Sequence, residues 1–430
     1  MKEMQYHFDR LNNGLRMVTI PMRGRSSVSV AIWVRTGSRF EPHKISGASH
    51  FLEHMLFKGT KKRTTMQIKT EIEGVGGILN AFTGEESTCY YAKLLKPYAF
   101  QALDVLADMV NHAVFDPTEL RKERPVILEE IKMYRDQPSQ YVHEIMGDLL
   151  WRNQPLGRPI AGSLETVSAI TRAQMIDYKR RYYHSKNILV TVAGDVSHHD
   201  ISRAVRKFFA HDFSYPLSKF KPAVSRQRIP NFRFVEKPTE QVNFVIGMHG
   251  FSRYHADRYA MGLLNVILGA NMSSRLFEEV REQRGLAYEI RSSLSVFEDT
   301  GAFLISAGVE TEKSKSAILV ILCELAKINR RGVKEIEIRR AKDYFMSQLY
   351  LAMEDTLDHS LWVGERVLYS NELPDKEAIK RKVESVTARK IQEVARKIFV
   401  TKNLNLTLIG PLGSKEHRRI EADFCIKGSS

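Results

Sequence analysis

The sequence predicts an α+β protein made of two tandem, homologous domains, each a mixed or antiparallel sheet covered by helices. Strand-like and helix-like segments occur in clusters along the chain, which favours separate layers over alternating βαβ units. The second half of the chain repeats the pattern of the first at a constant spacing. At 430 residues, the chain is long enough for two or three domains with sizeable cores.

The repeat is clearest at the end of each half. The stretch KNILVTVAGDV corresponds to KNLNLTLIGPL, so that Gly194 matches Gly410. Upstream, VSAITRAQMIDYKRRYY corresponds to VESVTARKIQEVARKIF, and Thr171 matches Thr387 with the same offset of 216 residues. Each copy therefore predicts an amphipathic helix, a short turn and an apolar strand that ends at glycine.

The other elements also occur in pairs. SSVSVAIWVRTGSRFE and TEQVNFVIGMHGFSRY each predict a strand and a turn, and GGILNAFTGEESTCYYAKLL and GLAYEIRSSLSVFEDTGAFLISAG each predict two strands. The segments QALDVLADMVNHAV and SAILVILCELAKI predict the helices that follow. DFSYPLSKFKPAVSRQRIPNF is proline-rich and polar, as a linker should be. We expect an N-terminal domain at 1–212, a linker at 213–232 and a C-terminal domain at 233–430.

The formal net charge of +15 raises the question of nucleic-acid binding. Lysine and arginine are spread along the chain, however, and no nucleic-acid motif with interleaved aromatic residues occurs. We therefore interpret most of the charge as solvated surface and expect no nucleic-acid partner. No apolar run approaches the length needed to cross a bilayer, so we also expect no membrane span.

Cysteine usage and the first residues bear on the compartment. Cys89, Cys323 and Cys425 are widely spaced and odd in number, so they predict neither a disulfide framework nor a metal pair. This pattern fits a reducing compartment. The start, MKEMQYHFDRLNNG, contains no apolar signal core. We expect a bacterial cytoplasm, with an organelle matrix as the alternative.

The stretch HFLEH, residues 50–54, places polar side chains in an otherwise apolar segment. On a helix, His50, Glu53 and His54 would share one face, because positions i, i+3 and i+4 are neighbours. H-x-x-E-H is the inverted zincin motif, in which two imidazoles one turn apart bind a metal ion. A histidine on an apolar face is more often a core or boundary residue, so the motif alone leaves both interpretations open.

A catalytic zinc site usually has three protein ligands, so the motif lacks one carboxylate. The segment ELRKERPVILEEIKMYRD offers Glu123, Glu129 and Glu130. Glu123 and Glu130 are two helical turns apart and would share a face, whereas Glu129 would point elsewhere. Pro125 predicts that this helix either starts near that residue or kinks there, because proline is costly in a helix interior.

In these motifs the sequence resembles the pitrilysin, insulin-degrading and mitochondrial-processing peptidases, and most of all their smaller bacterial and mitochondrial members. ASHFLEHMLFKGT carries the histidine pair, and ERPVILEEI is similar to the family's E-R-x-V-I-L-x-E segment. The resemblance spans almost the whole chain and implies a clamshell of two halves around a chamber. It implies one Zn²⁺ per chain, with His50, His54 and Glu130 as ligands and Glu123 as a supporting glutamate.

The resemblance also implies roles for residues outside the ligand set. Glu53, next to His54 and not needed as a ligand, is expected to act as the general base for the attacking water. Asn80 and Ala81 match an N-A pair on an edge strand that binds the substrate backbone by β-augmentation.

In the second half, Arg281 and Tyr288 match an arginine and a tyrosine that donate to the substrate carbonyl or its oxyanion. Arg284 fits the family spacing less well and is interpreted as a surface charge.

These features predict a zinc-dependent endopeptidase that hydrolyses extended peptides or unfolded segments such as presequences. The alternative is a non-catalytic or partner subunit of a heterodimeric processing peptidase. Such subunits typically lose part of the metal set, which is complete in this sequence. The resemblance implies a homodimer or a heterodimer with a related chain.

Overall fold

The structure is a computed structural model that describes residues 6–210, 215–217 and 219–427. The strands are β1 (His7–Arg10), β2 (Arg16–Pro21), β3 (Ser27–Val34), β4 (Ile78–Thr83), β5 (Thr88–Leu95), β6 (Ile188–Gly194), β7 (Asn231–Glu236), β8 (Val242–Gly250), β9 (Ala287–Val296), β10 (Gly301–Val309) and β11 (Asn405–Gly410). The helices are α1 (Ala48–Leu56), α2 (Thr65–Glu73), α3 (Ala99–His112), α4 (Pro117–Asp136), α5 (Pro138–Leu150), α6 (Leu164–Ala169), α7 (Arg172–Tyr182), α8 (His198–Phe208), α9 (Arg258–Leu268), α10 (Ser314–Arg331), α11 (Glu335–Ala352), α12 (Thr356–Ser370), α13 (Lys376–Glu384), α14 (Ala388–Ile398) and α15 (Ser414–Asp423).

The chain divides into two compact units that are not contiguous in sequence. The first unit comprises Met1–Ile131, Arg158–Lys221 and Tyr350–Pro374, and the second comprises Lys132–Gly157, Pro222–Leu349 and Asp375–Ser430. The predicted domains at 1–212 and 233–430 differ from these units in two segments, because 132–157 belongs to the second unit and 350–374 to the first. The predicted linker at 213–232 includes residues 213, 214 and 218, which lie outside the described residues.

The first unit is built on a six-stranded sheet with the order β1-β2-β6-β3-β5-β4. Its neighbouring strands are antiparallel except β2 and β6, which are parallel. One face packs on apolar residues of α1, α2, α3, α7 and α8. The other face packs on α12, where Val363 and Val367 join a cluster around Trp33. Burial on both faces explains why β3 is a near-continuous apolar run.

The second unit is built on a five-stranded sheet with the order β7-β11-β8-β10-β9. β7 and β11 are parallel, and the other neighbours are antiparallel. Helix α5 covers one face and buries Val142, Met146 and Leu150 against it. Helix α14 packs on both α9 and α10, and α9 and α14 also contact strands. Helices α5 and α12 each belong to a different unit from the segments that flank them in sequence. The apolar stripe of each helix explains this, because it packs on the sheet of that unit.

The two units share one topology, which confirms the predicted α+β class and the tandem repeat. The order β2-β6-β3-β5-β4 in the first unit is the same as β7-β11-β8-β10-β9 in the second. The matched threonines are equivalent helix caps, because Thr171 and Thr387 each accept a hydrogen bond from the backbone N–H three residues later. β6 and β11 end at the matched residues Gly194 and Gly410.

Helix α4 runs through Pro125, so the alternative in which the helix starts near that residue is wrong. The helix begins after Asp116, whose carboxylate accepts hydrogen bonds from the N–H groups of Thr118 and Glu119. Buried side chains on both sides of the proline hold the helix in the core; they are Leu120, Ile127 and Ile131. None of the helices among the described residues has the length and apolarity required to cross a membrane.

Two helical glycines provide a test of how α5 and α12 pack. A Cβ atom added to Gly364 of α12 would lie 2.2 Å from Trp33 Nε1, whereas one added to Gly147 of α5 would meet no neighbouring atom within 4 Å. We expect Gly364→Ala to lower the free energy of unfolding by about 1–3 kcal/mol because it overpacks the interface. Gly147→Ala should raise it by roughly 0.5–1 kcal/mol. Urea denaturation measures both, and a stabilised Gly364→Ala protein would contradict this packing.

Candidate metal centre

Helix α1 carries the H-x-x-E-H segment, and a buried carboxylate fixes its N-terminus. Glu41 accepts hydrogen bonds from the backbone N–H groups of Gly47 (2.7 Å) and Ser49 (2.6 Å). The first N–H groups of a helix have no acceptor within the helix, so Glu41 supplies one. Burial raises the pKa of Glu41 to about 7, although these hydrogen bonds act to lower it. The cap fixes where the helix begins.

The polar face of α1 carries His50, Glu53 and His54. The two imidazole rings lie with their centroids 4.7 Å apart. The opposite face is anchored in the core; its buried residues are Ala48, Ser49, Phe51, Leu52, Met55 and Leu56. Because the apolar face is buried, the helix cannot rotate, and the three polar side chains keep one common direction.

Glu130 of α4 joins the two histidines. Its carboxylate oxygens lie 3.7 Å from His50 Nε2 and 3.5 Å from His54 Nε2. Ligand bonds of about 2.0–2.2 Å in a tetrahedral zinc site separate neighbouring donors by roughly 3.3–3.6 Å. The 3.5 Å spacing to Oε2 lies within this range and the 3.7 Å spacing to Oε1 just above it, so the group could hold a Zn²⁺ ion. Among the described residues, this is the one group of three histidine, cysteine or carboxylate donors that could hold a metal ion.

The protonation states at this centre suit a cation. Burial, together with the neighbouring His54, lowers the pKa of His50 to about 4, so its ring is neutral near pH 7. A neutral imidazole has a lone pair available for a metal. Burial and the charge of Glu123 raise the pKa of Glu130, and His54 opposes them. A bound cation would stabilise the charged form of this carboxylate.

Glu123 supports one of the histidines from behind. Its Oε1 lies 2.9 Å from His54 Nδ1, and its Oε2 lies 2.5 Å from Lys58 Nζ. Burial acts to raise the pKa of Glu123, but the hydrogen bonds from His54 and Lys58 outweigh it, so the pKa is lowered. The ionised carboxylate then accepts the Nδ1 proton of His54, which leaves the Nε2 lone pair directed at the donor group. Glu129 is exposed and lies outside this group.

Glu53 does not belong to the donor group. Its Oε2 accepts a hydrogen bond from the hydroxyl of Thr83, the last residue of β4. Burial raises the pKa of Glu53, although the bond from Thr83 and the charge of His54 oppose this rise. A carboxylate with a raised pKa, adjacent to the donors but separate from them, has the properties of a general base.

Asn80 and Ala81 lie on β4, the edge strand of the six-stranded sheet. The Asn80 side-chain oxygen accepts a hydrogen bond from the Ala81 N–H at 2.8 Å. β4 pairs with β5 on one side, and burial alternates along it from Ile78 to Thr83. An edge strand of this kind offers backbone groups to an added strand.

Comparison with known proteins decides the family. Residues 16–164 match the family described as "Insulinase (Peptidase family M16)", and residues 169–345 match "Peptidase M16 inactive domain". An uncharacterized zinc protease of Streptomyces coelicolor is 35% identical over 416 residues, which cover 95% of this chain and 90% of that protein. The uncharacterized zinc protease YmxG of Bacillus subtilis is 35% identical over 403 residues, 94% and 97% of the two chains. The chain belongs to peptidase family M16.

Solved structures agree with this M16 assignment at the level of the fold. A protease from Helicobacter pylori superimposes with a TM-score of 0.89 at 22% identity, covering 94% of this chain and 99% of that chain. A Pseudomonas fluorescens structure described as a peptidase M16 inactive domain gives 0.87 at 19% identity, with 95% and 98% covered. The family match and the 35% identical relatives confirm the predicted resemblance to this peptidase family.

The two predicted donors of the second half of this M16 chain lie in the second unit. Arg281 is in a π-helical turn, and its guanidinium lies over the rings of Phe277 (4.7 Å) and Tyr288 (5.1 Å). The Tyr288 side chain, near the start of β9, is 77% exposed. Arg284 is bound by the backbone carbonyl and the carboxylate of Glu279, as expected for a surface charge.

Three residues of the site were not found from the sequence. Lys58 stands four residues after His54, so helical spacing could have indicated it. Thr83 has the strand parity of Ala81, which gives only a weak signal. Glu41 lies 6 and 8 residues before the residues whose N–H groups it binds. This spacing is longer than that of a usual N-cap, so no capping signal marked Glu41 in the sequence.

The donor group predicts a graded effect of three glutamine substitutions on Zn²⁺ affinity. Glu123→Gln should weaken binding by roughly 10- to 100-fold, which is typical of a residue that orients a ligand. Glu130→Gln should weaken binding more than that, because a ligand is lost. Glu129→Gln, the matched control beside it, should bind like the wild type. Competition with a chromogenic chelator measures all three, and equal affinities of the Glu130 and Glu129 variants would contradict this donor set.

Proposed function

We propose that this M16 chain is a zinc-dependent endopeptidase that hydrolyses extended peptides or unfolded segments such as presequences. The observation that carries the proposal is the convergence of His50, His54 and Glu130 beside a separate carboxylate, Glu53. Membership of the family supports it, and so does the name zinc protease given to the relatives. One Zn²⁺ per chain is proposed, because the described residues offer one such donor group.

The proposed ligands would be His50 Nε2, His54 Nε2 and a Glu130 oxygen. When bound, Zn²⁺ supplies Lewis acidity, which polarises the scissile carbonyl and lowers the pKa of the attacking water towards ~7. His50 contributes a neutral ring near pH 7, because burial holds its pKa at about 4. Glu123 holds His54 in the tautomer with a free Nε2.

Glu53 would move the proton. It lies between the proposed ligands His50 and His54 in sequence. Its Oε2 accepts a hydrogen bond from Thr83, so Oε1 is the oxygen proposed to accept the proton of the water. Burial shifts the pKa of Glu53 upward, in the direction of pH 7. A carboxyl group accepts a proton and later donates it most efficiently when its pKa is near the working pH. The same proton would then pass from Oε1 to the leaving amine nitrogen when the peptide bond breaks.

The substrate would add a strand to β4. Pairing through the backbone of Asn80 and Ala81 requires an extended peptide, and it tolerates many side chains. A stably folded domain does not present a free extended strand, so unfolded segments are the proposed substrates. Arg281 and Tyr288 are proposed to donate to the substrate carbonyl or its oxyanion, a role that their phenol and guanidinium groups can fill.

A peptide-library digest with the Zn²⁺-loaded chain, with and without a chelator, tests the proposal. Cleavage that the chelator abolishes and added Zn²⁺ restores supports it. The rival, a partner subunit, is favoured if the chain alone is inactive and a related chain restores cleavage. Assembly as a homodimer or with a related chain, and a bacterial cytoplasmic location, stay predictions from the sequence.

Glu53→Gln separates the base from the ligands. We expect this variant to retain Zn²⁺ affinity, because the side chain is not in the donor group. Peptide turnover should fall by roughly 10²- to 10⁴-fold, the usual contribution of a general base. Metal content by atomic absorption and kcat on one fluorogenic peptide measure the two effects. Loss of the metal would show that Glu53 is a ligand and that the assigned role is wrong.

Arg281→Ala and Tyr288→Phe test the second unit. Each should leave Zn²⁺ content and folding intact and lower kcat by ~10²-fold, because donors aimed at an oxyanion act mainly in the transition state. Arg284→Ala is the matched control, since that guanidinium is bound by Glu279. Its turnover should equal that of the wild type. Wild-type rates in both test variants would mean that these two side chains play no part in the chemistry.

A further inference from the structure

The carboxylate of Glu53 has one hydrogen-bond donor, and it comes from the end of β4. The Thr83 hydroxyl donates to Glu53 Oε2 at 2.5 Å. Within the part of the chain that the structure describes, no other group hydrogen-bonds this carboxylate. A glutamate side chain has three rotatable bonds, so a single well-placed donor decides which orientation its carboxylate adopts.

The donor itself is firmly held, because the hairpin after β4 is fastened to a neighbouring segment. The Arg39 N–H donates to the Glu85 carbonyl (2.9 Å), and the Ser38 N–H donates to the Gly84 carbonyl (3.2 Å). The Arg39 guanidinium also donates to the Glu86 carboxylate at 2.6 Å, with both side chains almost fully buried. Buried, charge-assisted hydrogen bonds of this kind fix geometry. The Thr83 hydroxyl is therefore presented from a rigid strand end.

We infer that Thr83 is a positioning residue: its hydroxyl holds Oε2 of Glu53 so that Oε1 is presented to the attacking water. The inference rests on the proposed peptidase function. β4 is also the strand proposed to pair with the substrate through Asn80 and Ala81. One strand would then set the position of both the peptide and the base, and the distance between them would not depend on a flexible loop.

Replacement of the hydroxyl by a methyl group tests this inference. Thr83→Val keeps the β-branched shape but removes the donor, and Thr83→Ser keeps the donor. We expect Thr83→Val to lower kcat by about 10- to 100-fold, a part of the contribution of a general base, with KM and Zn²⁺ content unchanged. Thr83→Ser should restore kcat to within about threefold of the wild type. A purely structural role would not give this rescue together with an unchanged KM.

Thr88→Val is the matched control. Thr88 lies opposite Thr83 on β5, and its hydroxyl donates to the Thr36 carbonyl at 3.0 Å. The same substitution there removes a buried hydrogen bond without removing the donor to Glu53. It should lower stability and leave kcat unchanged. Equal losses of kcat in the Thr83 and Thr88 valine variants would overturn the inference, because the effect would then be general to the hairpin.

Crystal structures of the two Thr83 variants give a second readout that does not need activity. Glu53 should adopt a different or mixed orientation in Thr83→Val and the wild-type orientation in Thr83→Ser. If Glu53 keeps its wild-type orientation in Thr83→Val, the inference is wrong, whatever the kcat of that variant. A wild-type protein that cleaves no peptide would instead count against the proposed function, and the orientation of Glu53 would still decide the role of Thr83.

Discussion

The candidate metal centre depends on one constraint: three carboxyl groups are partly removed from water beside two imidazoles. A buried carboxylate needs hydrogen-bond donors or a cation, and each of the three meets this need differently. Glu123 receives donors from His54 and Lys58, which lower its pKa. Glu53 receives one from Thr83, and its pKa stays raised. Glu130 faces the two histidines, and a cation shared with them would meet the need of its carboxylate.

The scaffold holds these groups through buried polar contacts at the ends of elements. Glu41 caps the helix that carries the histidines, and the Arg39–Glu86 pair fastens the hairpin that presents Thr83. Such contacts add little net stability, because desolvation offsets the attraction between buried charges. Their clearer effect is geometric, since each fixes one backbone segment against another. A catalytic centre needs this precision more than it needs additional stability.

Duplication gave the chain two sheets of the same order, but the chemistry is not duplicated. The described residues of the second unit contain no group of metal donors, whereas they present Tyr288 and Arg281 at the surface. The Arg281 guanidinium lies over the Tyr288 ring, which keeps these two hydrogen-bond donors together. The shared strand order therefore fixes the fold of each unit, whereas the side chains placed on it decide the chemistry.

The sequence by itself determined the features that depend on local spacing. It determined the shared face of His50, Glu53 and His54, because helical periodicity is a property of neighbouring residues. It also determined the match between Thr171 and Thr387, which follows from the constant offset of the repeat. Only the tertiary structure decided that α4 continues through Pro125, because packing on both sides of the proline outweighs the local penalty. It also decided the contact of Thr83 with Glu53 and the unit to which each of the helices α5 and α12 belongs. These join residues far apart in sequence, and no local pattern records such contacts.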